Sequence, residues 1–305
     1  MPVSPVPATA KIRINKHSPD LAISVRNMTY KNLLLHMEPG DAAAGRLNLA
    51  CGLAERLGAV LIGIDAAMLQ VPVIDPTGFA AVDADLISSE RQAFEAEFED
   101  SAKRFDAAAS AKNLRMKWFS SLEFPADMLC RHARAADLLV IGHGATAETP
   151  SPQHAADPGD VVMRAGRPAL VVPPGISELR LAHVVVAWKD TREARRAVAD
   201  SIPLMKLAGK TSIVAVSAEG ETDEARRSAE DVVAYLGRHD IAAEAEVRID
   251  TREGAAAEIL KAAQEKQSDL VVCGAYGHAR MREWAFGGVT RDLLKKSAVA
   301  CLMSH

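Results

Sequence analysis

Asp137-Leu-Leu-Val-Ile-Gly142 and Asp269-Leu-Val-Val-Cys-Gly274 are nearly the same six-residue phrase, written once in each half of the chain. A short unbroken apolar run that stops at glycine reads as a strand buried on both faces. Finding it twice constrains the fold strongly, because the segments around each copy also correspond.

In the first half, Lys31–Met37 reads as a strand and Ala42–Leu57 as a helix with apolar residues at Leu47, Ala50, Cys51, Ala54 and Leu57. A strand at Ala59–Ile64 follows. In the second half, strand His183–Trp188, helix Arg192–Ala199 and strand Thr211–Val216 repeat that order. The long charged helix Asp83–Ala111, with Phe94, Phe98 and Phe105 on one face, pairs with the shorter Asp223–Arg238. Leu114–Phe119 pairs with Ala243–Ile249, Pro125–Ala135 with Gly254–Gln267, and Pro168–Val172 with Val299–Met303. Apolar strands alternating with helices specify parallel sheets covered on both faces. Each half is therefore expected to be an open α/β sheet, over 29–175 and 181–305, joined at the turn-forming Pro173-Pro174-Gly175.

Length supports this, since 305 residues suffice for two domains with their own cores. A net charge of −4 and 4% aromatic residues argue against a nucleic-acid partner. No stretch approaches the ~20 apolar residues that cross a bilayer. Cys51, Cys130, Cys273 and Cys301 lie in apolar stretches without CxxC spacing, as small hydrophobes do in a reducing, cytoplasmic setting. Residues 1–28, rich in proline and polar residues, read as a flexible leader, with an over-long start assignment as the alternative.

The candidate site follows the second copy of the phrase. After strand Leu270–Cys273 come Gly274-Ala-Tyr-Gly277, nine residues, and Gly287-Gly288-Val289-Thr290, where a helix starts. Glycine lets backbone approach a ligand, and a helix N-terminus offers unpaired N–H groups and a positive dipole end. Together these describe a cradle for phosphate oxygens, to which His278 and Arg280 can add charge. In open parallel sheets such a ligand lies beyond the carboxyl ends of the strands.

With repeat and loop laid out, residues 29–305 resemble the universal stress protein family in its tandem two-domain form. The resemblance implies two doubly wound parallel-sheet domains of the adenine nucleotide alpha hydrolase type, joined as a pseudo-dimer through the final strands of the halves. It implies a stress-response protein that binds ATP, with or without Mg²⁺, at Gly274, Gly277, His278, Arg280, Gly287, Gly288, Val289 and Thr290. The base would lie beside Ala187, Trp188 and Lys189, while the Trp188 side chain itself is expected in the core. The family pattern places Ser or Thr where Gly288 stands, and Asp where Lys189 stands. Binding would act as a switch without catalysis, toward an unidentified protein partner, and a homodimer is compatible. A nucleotide-free interaction protein and a slow nucleotide hydrolase are the competing readings.

Other features carry less. The first-half loop, with Glu148, Pro150, Pro152 and Asp157, reads as a degenerate copy of the site. Gly142-His-Gly-Ala-Thr-Ala147 is a chance dinucleotide fingerprint, since it follows the fourth strand and opens no long helix. His143 and His154, near Asp157 and Asp160, lack metal-site spacing and read as a chance surface pair. Trp284 and Phe286 would clamp the second loop, and Arg282 and Arg291 are expected at the surface.

Overall fold

The computed structural model describes residues 29–69, 84–144, 151–277 and 288–305. The first half comprises β1 (Asn32–Met37), α1 (Asp41–Leu57), β2 (Val60–Ala66), α2 (Ala84–Ala111), β3 (Met116–Ser121), α3 (Pro125–Ala133), β4 (Leu138–Gly142), α4 (Pro158–Arg164) and β5 (Ala169–Val172). The second comprises β6 (His183–Trp188), α5 (Arg192–Met205), β7 (Lys210–Ser217), α6 (Thr222–Gly237), β8 (Ala243–Ile249), α7 (Ala255–Glu265), β9 (Leu270–Gly274), α8 (Gly288–Lys296) and β10 (Ala300–Ser304).

The ten strands of the described residues form one sheet in the order β3-β2-β1-β4-β5-β10-β9-β6-β7-β8. Within each half the strands run parallel. The halves meet where β5 pairs antiparallel with β10, Leu170 opposite Leu302. The strand expected to end each half is thus the seam, and joining there leaves neither half with an open inner edge.

Alternation along the strands divides the core between the two faces. Leu33, Leu35, Val184 and Val186 pack under α1, α2, α5 and α6. Leu34, Val185, Val271 and Cys273 pack under α3, α4, α7 and α8. Phe94, Phe98 and Phe105 are buried along α2, as their spacing requires. Cys51, Cys273 and Cys301 are buried and unbridged.

The aspartate opening each repeated phrase has a structural task. Asp137 Oδ2 accepts from the N–H groups of Lys31 and Asn32 at 2.7 and 2.9 Å. Asp269 Oδ2 accepts from Leu181 N–H at 2.6 Å. Each carboxylate satisfies backbone donors where the central strand of its half begins.

Two segments differ from expectation. The helix expected to end at Ala199 continues to Met205 despite Pro203, because Ile202, Leu204 and Met205 are all buried; that packing offsets the hydrogen bond a proline forfeits. The third strand starts at Met116 rather than Leu114, because Asn113 is left-handed (φ 52°) and Leu114 N–H returns to Ala109 O at 3.0 Å, closing α2.

Candidate functional site

β1 lies between β2 and β4, and β6 between β7 and β9, so connections diverge on either side of each central strand. A crevice opens at the carboxyl end of each divergence. In the second half Gly274 closes β9 against the first turn of α5. A Cβ on Gly274 would lie 2.5 Å from Ala194 N and 2.6 Å from the Glu193 carbonyl carbon, both backbone atoms. Only glycine fits this approach. The N-terminus of α5 is capped by Thr191, whose hydroxyl accepts from Ala194 N–H at 3.2 Å.

Beyond Gly274 the loop is tied down from three sides. Ala275 N–H donates to Ser304 O at 2.8 Å, and the His305 ring meets Ala275 O at 3.0 Å. Thr290 is buried in α8, and its hydroxyl accepts from Tyr276 N–H at 3.5 Å. Tyr276 takes the left-handed region (φ 53°) and reaches into the first half, where a Cβ on Gly159 of α4 would lie 2.5 Å from its hydroxyl. Burial, with Asp157 beside it, pushes that phenol up to about 12. Gly288 opens α8 with no atom of the described residues within 4 Å of its missing Cβ, and Val289 is exposed. His278, Arg280 and Gly287, with Arg282, Trp284 and Phe286, lie outside the described residues.

At the end of β6, Ala187 and Trp188 point to opposite sheet faces. The Trp188 side chain is in the core and donates from Nε1 to Ser228 Oγ at 2.8 Å. It floors a cleft of about 560 Å³ between α5 and α6 that Asp190, Arg195, Asp231 and Tyr235 also line. Lys189 is exposed.

One residue of this crevice escaped the sequence reading. Glu193, second in α5, is 3% exposed, and its Oε2 lies 3.5 Å from where a Gly277 Cβ would stand. Its Oε1 pairs with Arg192 at 3.2 Å. The glycine loop thus faces a carboxylate in the place where a phosphate is expected. Its one sequence signal is an acidic residue in a helix's first turn, a common surface feature.

The first-half crevice is filled differently. Arg46, on α1 and 2% exposed, sends its guanidinium over Gly142, where a Cβ would lie 2.4 Å from Nη1. Its Nε donates to His36 O at 3.1 Å and its Nη2 to Glu38 at 2.7 Å. Burial raises the Glu38 carboxyl, but Arg46 outweighs it and leaves the group lowered. Burial pushes the His36 imidazole down to about 4, so it is neutral.

His154 corrects the expectation of a surface pair. It is wholly buried, with Nδ1 2.7 Å from Asp65 and Nε2 2.8 Å from Glu97, and Phe94 and Phe98 meet its ring edge-on. Burial lowers its affinity for a proton, but the two carboxylates outweigh that and hold it above the ordinary 6.5. His143 does not join it; its Nε2 is buried with no hydrogen-bond partner among the described residues. Asp157 instead caps α4 by accepting from Asp160 N–H at 2.8 Å. Among the described residues, no group of three or more His, Cys, Asp or Glu is arranged to hold a metal, and no helix is long and apolar enough to cross a membrane.

Residues 177–305 match the model of the Universal stress protein family. No curated protein matches the chain. A universal stress protein from Archaeoglobus fulgidus DSM 4304 superimposes with a TM-score of 0.67 at 13% identity, covering 89% of this chain and 97% of that one. A protein of unknown function from Pseudomonas aeruginosa PAO1 gives 0.53 at 14% identity, covering 90% and 92%. A putative universal stress protein from Pseudomonas aeruginosa UCBPP-PA14 gives 0.52 at 15% identity, covering 90% and 93%. Identities this low speak for fold alone. The chain therefore carries a universal stress protein family domain over residues 177–305, in a molecule whose two halves together have the α/β fold of universal stress proteins.

Proposed function

We propose that the chain is a stress-response protein whose second half, 181–305, binds an adenine nucleotide, ATP, as a switch. The observation that carries this reading is the convergence at the end of β9. There the Gly274–Gly277 backbone lies against the first turn of α5 and, through Tyr276, against Thr290 at the start of α8. Unpaired N–H groups at two helix N-termini favour an anion between them. The phosphates would lie along Gly274–Gly277 and Gly288–Thr290, with Gly287, His278 and Arg280 assigned from sequence alone. The nucleoside would border Ala187–Lys189.

Tyr276 gives the switch a route. Its hydroxyl packs on Gly159 of the first half, so a ligand that rearranges the loop alters the α4 surface. The first half, 29–175, is the partner-facing body in this reading, with Arg46 and Glu38 filling its own crevice. The protein acts in the cytoplasm, alone or as a homodimer, on an unidentified protein partner. Any Mg²⁺ would arrive with the nucleotide and neutralise its phosphates. We assign no catalytic residue: Glu193, the carboxylate facing Gly277, pairs with Arg192 and is given no chemical role in this reading.

A second reading, an interaction protein of the same fold without nucleotide, is favoured by Glu193 at Gly277 and by Lys189 at the nucleoside end. Mass spectrometry of the denatured purified chain, with calorimetry against ATP, separates the two. Bound nucleotide or measurable affinity, lost in Gly277→Val, supports the switch; absence of both leaves the interaction protein. Turnover at about 1 per second or faster would indicate a hydrolase.

A further inference from the structure

The Glu193 carboxylate occupies the space the nucleotide reading gives to a phosphate. It is 3% exposed, its Cβ is 2.9 Å from the position a Gly274 Cβ would take, and its Oε2 is 3.5 Å from that of Gly277. It sits in the first turn of a fourteen-residue helix, where the dipole favours an anion, and pairs with Arg192. The corresponding second residue of α1 in the first half is Ala42, so the repeated fold does not require an acid there.

We propose that Glu193 is an internal competitor for the phosphate site, a carboxylate that lies against the Gly274–Gly277 backbone in the ligand-free protein and must be displaced by an incoming phosphate. This rests on the nucleotide reading above and specifies how that site is regulated. Two anions a few ångströms apart in a crevice shielded from water repel several-fold more than they would in solvent. The nucleotide therefore binds weakly to the native chain. Whatever draws Glu193 toward solvent, such as a partner's cation, raises the affinity.

The test is calorimetry of the full chain with ATP, comparing Glu193→Gln, which keeps the shape and removes the charge, with Glu193→Asp, which keeps the charge. Glu193→Ala, the first-half arrangement, is the second neutral variant should the glutamine lower expression, and thermal unfolding verifies that each variant is folded. We expect affinity to rise at least about tenfold in the neutral variants and not in Glu193→Asp. Tight binding to Glu193→Gln with none to the native chain also supports the competitor. Equal or weaker affinity in the neutral variants, with the native chain binding, overturns the competitor and leaves the nucleotide reading intact. No binding by any folded variant at millimolar ATP overturns both.

Discussion

Above Gly142 the first crevice holds a guanidinium; above Gly277 the second holds a carboxylate. The strands beneath are copies of one pattern, down to the aspartates that anchor the start of each half. The difference arises in the helix that follows the central strand. In the second half the backbone of α5 lies directly on Gly274, and Glu193 projects from its first turn. In the first half the Arg46 side chain from α1 fills the equivalent space over Gly142. A duplicated sheet can thus keep its core while its two crevices change sign, because Arg46 and Glu193 lie beyond the strand ends and neither belongs to the apolar clusters on the sheet faces.

The strongest way to break this comparison is to remove the first-half cation. Arg46→Ala would leave the Glu38 carboxylate mostly buried without its partner, and should cost about 3 kcal/mol in urea unfolding of the full chain. A loss under about 1 kcal/mol would mean that the guanidinium is not what closes the crevice.

Next is a methyl group on each phrase-ending glycine. Gly274→Ala would press on backbone and should cost about 2 kcal/mol, whereas Gly142→Ala would meet the end of the Arg46 side chain, which can shift more readily than backbone and should cost less. The same unfolding measurement ranks them, and the reverse order would overturn the account of which crevice is closed by backbone.

His154→Gln sharpens the first-half side. A histidine raised above 6.5 in the folded state contributes stability fully below that value and loses it as pH rises through the raised one. The deficit of the variant should therefore be greatest near about pH 5.5 and shrink toward alkaline pH. Buried neutral His36 acts oppositely, costing stability as pH falls from 6.5 to about 4, and does so in both proteins, because burial rather than its smaller coupling to His154 dominates its shift. A deficit that does not change with pH would show that His154 is held as the neutral ring.

The smallest effect belongs to Gly288→Ser. Among the described residues nothing crowds a side chain there, and a hydroxyl at the start of α8 should add about a few tenths of a kcal/mol by thermal unfolding. Under the nucleotide reading it should also tighten ATP binding.

Much of the fold was legible because its signals are local. Apolar runs of four to eight residues, glycine stops and the repeated phrase locate the strands, and repetition gives their order. Elements slipped where a contact distant in sequence prevailed, as when buried Ile202, Leu204 and Met205 carried α5 past Pro203. The glycine loop was legible as a motif, but its occupants were not. Arg46 lies among the apolar residues Ala43, Leu47 and Ala50 of α1, a charge on a buried stripe that points to a partner without naming it. Glu193 looked like an ordinary acid at a helix start. His154 looked like a surface residue because Asp65 and Glu97 stand 89 and 57 positions away.

By itself the sequence determined two parallel α/β halves, the succession of their elements along the chain and the position of a glycine loop at the end of one strand. Hydrophobic periodicity and glycine's lack of a side chain act over a few residues and are written in order along the chain. The family resemblance pointed to the final strands as the contact between halves; only the tertiary structure decided that β5 and β10 pair antiparallel there into one ten-stranded sheet, that Tyr276 reaches the opposite half, and which charge fills each crevice. Those outcomes depend on which side chains arrive within 3 to 4 Å of one another once the layers pack.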